Sequence, residues 1–398
     1  MKKLILNQKL VTKEIAEALI KICPFNSFEY VDGVLHINSA CRNCGQCVKK
    51  GPLGVCVFEE ETLVKQIDKS LWNGIGVFIE QTAGVIHPVS FELIGKAREL
   101  ALLTHQLVKA IYIGPPSDKN KDEILSYGVD ELYIYSHVTL NNFNVESYTF
   151  ILESWINDTS PSTILYGGTS IGRSLAPRVA ARMKTGLTAD CTSLSIKPST
   201  DLIQTRPAFG GNIMAQIITP NHRPQMATVR YKIFKSPGKV EPFGKVIYCE
   251  VPPSFLDSSV ESISSIKTAI KKDICDAEVI IACGRPFKTI ESLEPVYELA
   301  SLLGASVASS RPLIENSVMD SKHQIGLSGR TVSPKLIITL GISGSVQFIA
   351  GMKGSDMIIS INDDPLAPIF DISHVGIVGD VFKIVPMLIE KIKTNQPL

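Results

Sequence analysis

The chain has 398 residues, with 40 Lys and Arg against 39 Asp and Glu, a net charge of +1, 44% apolar and 20% charged residues. That length holds about two to four domains with cores of their own, and near-neutral charge excludes an electrostatic grip on nucleic acid or anionic lipid. The apolar balance excludes a disordered chain, and no run approaches the roughly 18 apolar residues of a membrane helix.

Met1-Lys-Lys-Leu-Ile-Leu-Asn7 is too short an apolar stretch for a signal peptide, so a cytoplasmic protein is expected. Five of the nine cysteines, at positions 23, 41, 44, 47 and 56, fall in the first 56 residues. In a reducing compartment such a concentration points to metal or redox chemistry rather than disulfides. Residues 1–66 otherwise read as short and loop-rich.

From residue 70 the text alternates apolar strands with amphipathic helices, which predicts a parallel sheet covered on both faces. Strands are expected at 76–79, 110–113, 131–135 and 163–166, and helices at 91–103, 117–127 and 148–157. Pro252-Pro253 and the Ser-rich stretch 258–265 read as a linker. A second alternation follows, with strands at 278–282, 305–309, 335–340, 357–361 and 376–378, and helices at 290–303 and 381–392. The expected organisation is a small α+β domain (1–66) followed by two doubly wound parallel-sheet α/β domains (70–256 and 270–398).

Cys41-x2-Cys44-x2-Cys47 places three thiolates in one tight loop, the pattern that grips a cubane iron–sulfur cluster. The fourth ligand is Cys23, followed by Pro24, or Cys56. In two-cluster ferredoxins the last Cys of each C-x2-C-x2-C-x3-C-P run ligates the other cluster. Here Gly51-Pro52 stands where that Cys-Pro would follow Cys47, and the spacing counted back from Cys23 falls on Lys13, Ala16 and Leu19, none of which ligates iron. This reads as a ferredoxin-like module that has lost one cluster and kept one 4Fe–4S cluster at Cys23, Cys41, Cys44 and Cys47. A structural zinc site is the alternative, although zinc normally shows two separated pairs.

After the strand 335–340, the run Gly341-Ile-Ser-Gly-Ser-Val-Gln347-Phe348 leads into a helix and presents N–H groups and hydroxyls, a ready site for a pyrophosphate. Gly167-Gly168-Thr-Ser-Ile-Gly-Arg173 has a similar look in the first α/β domain.

Several long runs resemble the α subunit of electron-transferring flavoproteins: Leu165 to Thr192, Gln324-Ile-Gly-Leu-Ser-Gly-Arg-Thr-Val-Ser-Pro-Lys335, Gly341 to Gln347, Ala350-Gly-Met-Lys353, Ile361-Asn-Asp-Asp-Pro365, Ala367-Pro-Ile-Phe370 and Gly376-Ile-Val-Gly-Asp380. The resemblance covers about residues 70–395. The cluster domain looks like the extension found in electron-bifurcating or confurcating versions that work with a lactate dehydrogenase or an acyl-CoA reductase.

That resemblance implies an FAD in the C-terminal domain. Arg311 would lie near the isoalloxazine and Ser328 near flavin N5, where the family commonly has Thr. Gln324, Ser343 and Gln347 would hold the ribityl–pyrophosphate stretch, and Asn362 and Asp380 the adenosine end. Gly326, Gly329, Gly344 and Ser345 complete the expected site. Phe348 departs from a His that many members carry at the flavin's pyrimidine edge, so its hold on an anionic flavin is expected to be weaker.

The resemblance also implies a heterodimer with a β subunit carrying a second FAD that exchanges hydride with NAD(H), and electron exchange with ferredoxin and an FAD-dependent dehydrogenase of lactate or acyl-CoA type. The helix with Pro177, Arg178 and Arg182 is expected to face a partner subunit. No side chain is expected to act as acid or base, because the cofactors carry the chemistry. The rival expectation is a non-bifurcating carrier feeding a quinone reductase, its cluster domain serving docking or redox sensing.

Overall fold

The computed structural model describes residues 2–60, 67–208, 213–260 and 273–394, so part of the Ser-rich stretch expected as a linker lies outside the described residues. The chain forms two compact units, Met1–Ile67 and Asp68–Leu398.

The N-terminal unit is far more regular than its sequence suggests. It runs β1 (Lys2–Leu6), α1 (Lys13–Ile22), β2 (Phe28–Val31), β3 (Val34–Ile37), α2 (Gln46–Lys50) and β4 (Cys56–Glu60). β1 pairs antiparallel with β4, and β2 with β3. Thr12 starts α1 by accepting the Ile15 N–H on its side chain, and helical spacing turns Ala16 and Leu19 inward, both fully buried. Leu4, Phe28, Leu35, Cys47, Val55 and Cys56 complete a small core.

α1 occupies the stretch where a second cluster's ligands would fall. A side chain added at Gly51 would bring its Cβ to 2.9 Å from Leu19 Cδ2 and 2.2 Å from the Cys47 carbonyl oxygen, so only glycine fits there. Two positions of the missing ligand set, 19 and 51, therefore meet in space, and the Leu19 side chain fills the room that a side chain at 51 would need.

The second unit contains two parallel sheets. The first half comprises β5 (Ile75–Ile79), α3 (Val89–Thr104), β6 (Val108–Ile113), α4 (Asp118–Ser126), β7 (Glu131–Tyr135), α5 (Val145–Thr159), β8 (Thr163–Gly167) and α6 (Ser170–Arg182). It continues through β9 (Leu187–Cys191), β10 (Ser193–Ile196), β11 (Leu202–Ala208), β12 (Ile213–Ile217), β13 (Gln225–Val229) and β14 (Lys245–Cys249). Its seven-stranded sheet has the order β9-β13-β8-β5-β6-β7-β14, every pair parallel. β10, β11 and β12 form a separate antiparallel sheet. β5, β6 and β8 are buried throughout, which is why they read as continuous apolar runs.

The other half comprises β15 (Val279–Cys283), α7 (Glu294–Leu303), β16 (Ser306–Ser309), β17 (Leu336–Leu340), β18 (Met357–Asn362), β19 (Val375–Val378) and α8 (Val381–Lys393). The parallel order is β16-β15-β17-β18-β19. The order reverses between β15 and β17, and a crevice opens at their carboxyl ends, where open α/β sheets bind ligands. The expected helix 290–303 begins later, at Glu294, after a separate tight turn at Glu291–Leu293. Among the described residues no helix is long and apolar enough to cross a membrane.

Candidate cofactor sites

A cleft of about 530 Å³ lies at the β15/β17 reversal point. The turn after β15 and the turn after β17 touch: a Cβ on Gly284 would fall 2.0 Å from the Gly341 carbonyl oxygen, and one on Gly341 would strike Pro286 at 2.6 Å. Gly341 also has φ +63°, a conformation that suits glycine.

Arg311, Gln324, Gly326, Ser328, Ser343, Ser345, Gln347, Phe348 and Asn362, all expected from the sequence, line this cleft. Gly329, Gly344 and Asp380 do not. Gly329 lines a different cavity, Gly344 packs on the Ile369 backbone, and Asp380 is exposed and caps α8 by accepting the Phe382 N–H at 2.9 Å. Arg285, Ser310 and Asp364 line the cleft without having been singled out. Arg285 sits in Gly284-Arg285-Pro286, directly after a buried strand, and that placement was the available signal.

Several lining residues hold the loops rather than face the space. Ser345 caps the short helix Val346–Ile349 by accepting the Phe348 N–H on its hydroxyl. Asn362 donates to the Ile342 carbonyl at 2.8 Å and accepts the Asp364 N–H at 3.0 Å, tying the end of β18 to the turn after β17. Phe348 is 4% exposed and belongs to the core beside Ile325 and Ile369, so its ring anchors the loop while one edge meets the cleft. Gln324 donates from Nε2 to the Ser328 hydroxyl at 2.8 Å. Arg311 is exposed, its Nε paired with Glu315 at 2.8 Å one turn on. The donors around this space, two guanidinium groups, serine hydroxyls and main-chain N–H groups at a strand-to-helix turn, fit a pyrophosphate-bearing ligand.

The turn after β8 opens on a second cavity, of about 420 Å³, lined by Glu80, Thr169, Arg173, Arg230, Asp273 and Arg330 among others. Thr169 caps α6 by accepting the Gly172 N–H and donates its hydroxyl proton to Glu80, whose pKa burial raises against that bond. Arg173 and Arg230 both pair with Asp190, and Arg330 with Asp273. Arg178 and Arg182, expected to face a partner subunit, pair with Glu146 and Glu153 of α5 and remain half exposed.

In the N-terminal unit, Cys23, Cys41, Cys44 and Cys47 line one small cavity, and Cys56 does not. Cys23 caps the C-terminus of α1; burial pushes its pKa up, but the N–H groups of Ser27, Phe25 and Asn26 outweigh this and lower it. Burial raises the pKa of Cys47 and lifts that of Cys56 to about 12. Among the described residues no group of three or more Cys, His, Asp or Glu is placed to hold a metal ion.

Residues 75–250 match the electron transfer flavoprotein domain, and residues 273–353 match the electron transfer flavoprotein FAD-binding domain, a range that supplies most of the lining of the larger cleft. The chain is 52% identical to the lactate dehydrogenase (NAD(+),ferredoxin) subunit LctC of Acetobacterium woodii, over 96% of this chain and 92% of that one. It is 41% identical to the electron transfer flavoprotein subunit alpha of Clostridium acetobutylicum, over 82% of this chain and 99% of that one. The chain belongs to the electron transfer flavoprotein α-subunit family. The corresponding protein of Megasphaera elsdenii is 42% identical over 83% of this chain and 99% of that one. A match over 96% of this chain necessarily takes in most of the N-terminal unit, so the LctC-type relative shares it. This electron transfer flavoprotein α-type chain is therefore an electron-transfer subunit with an FAD-binding half.

Proposed function

We propose that this chain holds FAD in the β15/β17 cleft and one 4Fe–4S cluster on Cys23, Cys41, Cys44 and Cys47. It would pair with a β subunit and exchange electrons among NAD(H), ferredoxin and an FAD-dependent dehydrogenase acting on lactate. Cys23, Cys41, Cys44 and Cys47 around a single cavity are the observation that carries the cluster half of this reading. Three cysteines at two-residue intervals with one distant cysteine fit a cubane better than zinc, which normally shows two separated pairs. The β-α-β-β-α-β order and the Leu19 side chain packed where a ligand at position 51 would stand support a ferredoxin-like module reduced to one site. The lactate partner rests on the 52% identity to a subunit bearing that name.

Bound FAD supplies the exchange of electrons. Arg285 and Arg311 place positive charge at the mouth of the cleft, which favours a ligand as it gains electrons. Asn362 and Ser345 fix the loops that shape the cleft. On the N-terminal unit, the N–H groups of residues 25–27 stabilise the Cys23 thiolate for metal.

Anaerobic purification with the β subunit, followed by iron, labile sulfide and flavin analysis, tests the reading. The expected result is four iron and four sulfide per chain, with the visible absorption of flavin overlaid by a broad shoulder that dithionite bleaches. Lactate oxidation should require both NAD and reduced ferredoxin. Zinc without sulfide would reduce the N-terminal unit to a docking element, and activity indifferent to ferredoxin would remove the coupling.

A further inference from the structure

The loop 324–330 closes on itself around Gln324. The Gln324 carbonyl accepts the Arg330 N–H at 2.7 Å, the Gly326 N–H reaches the Arg330 carbonyl at 3.1 Å, and the Gly329 N–H reaches Gly326 at 3.1 Å. The Leu327 N–H binds the Gln347 carbonyl at 3.0 Å, which joins this loop to the far wall of the cleft. The main chain therefore fixes where the Gln324 side chain starts, and the side chain is nearly buried, at 8% exposure. Its amide has one described hydrogen-bond partner, the Ser328 hydroxyl at 2.8 Å, and Ser328 is an exposed residue on the cleft lining.

A hydroxyl has one proton to give and two lone pairs to accept with. With Nε2 donating to one lone pair, the Ser328 proton is left to point elsewhere, and the open direction is the cleft. We propose that Gln324 is a positioning residue that makes Ser328 a hydrogen-bond donor to the flavin, rather than a direct ligand of the ribityl–pyrophosphate stretch. This rests on the reading of the cleft as the FAD site. A donated hydrogen bond favours the flavin as it gains electron density, so Gln324 tunes the flavin's potential at second hand.

The test uses the complex purified with its β subunit, measuring FAD per complex and the midpoint potential of each flavin in wild type, Ser328→Ala, Gln324→Leu, the double variant and Gln324→Glu. Losing one net hydrogen bond weakens binding of one-electron-reduced relative to oxidised FAD about fivefold, or roughly 40 mV for a one-electron couple. Ser328→Ala and Gln324→Leu should each lower one flavin's potential by that amount, and the double variant by no more than either alone. Gln324→Glu offers a carboxylate that takes the hydroxyl proton, turns a lone pair to the cleft, and should lower the same potential at least as far. All variants should keep full FAD.

Additive shifts would overturn the proposal, as would an unchanged potential in Gln324→Leu beside a lowered one in Ser328→Ala. Release of FAD by Gln324→Leu and Gln324→Glu with folding intact would make Gln324 a binding residue instead. A wild-type complex in which this chain carries no FAD would defeat the underlying reading, a result distinct from a flavin that ignores these substitutions.

Discussion

The two strand-to-helix turns of the large unit look alike in sequence and each opens on a cavity, yet the charges around them are disposed differently. Gly167-Gly168-Thr169-Ser170 leads from β8 into α6, and Gly341-Ile-Ser-Gly-Ser345 leads from β17 into a short helix; a hydroxyl caps the helix in both. After β8, Thr169 also bonds Glu80, and the nearby arginines are each matched to Asp190 or Asp273, so the charges answer one another. After β17, Arg285 reaches the lining from one loop while Arg311, paired only with Glu315 of its own helix, stands exposed on another, and Gln324 and Ser328 form a pair at the wall. The two Gly/Ser-rich turns thus share a local design and differ in where their arginines find partners: on another element after β8, and on the same helix for Arg311 after β17. The N-terminal unit extends the contrast: its core is small and includes two cysteines, whereas each half of the large unit has extended apolar clusters.

The largest expected effect isolates the small unit. Cys41→Ser with Cys44→Ser should abolish iron binding while FAD per complex stays at the wild-type level; loss of both together would erase the contrast between thiol-dependent and self-sufficient halves. Glu92 gives the next effect. It lies buried on α3 and receives the Lys232 N–H at 3.0 Å; burial lifts its pKa to about 8, against the N–H groups of Lys232 and Phe234. The folded state holds its proton above the unfolded value near 4.5, so stability is complete below about pH 4.5 and falls as pH rises to about 8. The slope approaches about 1.4 kcal/mol per pH unit. Denaturant melts of Glu92→Gln should lose this slope, and a wild-type curve flat from pH 5 to 8 would contradict the assignment.

Leu19→Ala should cost about 2–5 kcal/mol of the N-terminal unit's stability. Limited proteolysis should then cut before residue 68 while the FAD-bearing remainder survives. The smallest change in stability belongs to Arg311→Ala, whose exposed pair with Glu315 contributes at most about 0.5 kcal/mol. The melting curve should hardly move while the flavin potential falls; an unmoved potential would show that the guanidinium stays on its own helix. Phe348→His sharpens the same point, since the ring is core-packed: the variant should raise the flavin potential only if the imidazole reaches the cleft, and redox titration reads this directly.

The parallel strands were legible because burial on both faces writes them as unbroken apolar runs such as Ala110-Ile-Tyr-Ile113. β13 is not legible as an apolar run because its two buried faces carry Gln225 and Thr228, satisfied by neighbours such as Leu202 and Asp190 instead of by apolar contact. β1 to β4 of the small unit were hidden by brevity, since strands of four or five residues barely show a period. In the cleft, glycine and hydroxyl positions stood out locally. Arg285 did not, because its role comes from a turn that only the strand order carries to the same crevice.

The cleft's outline is drawn chiefly by main-chain bonds: Leu327 to Gln347, Ile369 to Ser343, Gly341 to Ile361, with the side chains of Asn362, Ser345 and Phe348 adding to them. Substitutions among the other lining side chains therefore leave the vessel standing. A lineage with such a scaffold is free to retune what the vessel holds, one residue at a time, for new electron donors and acceptors without refolding anything.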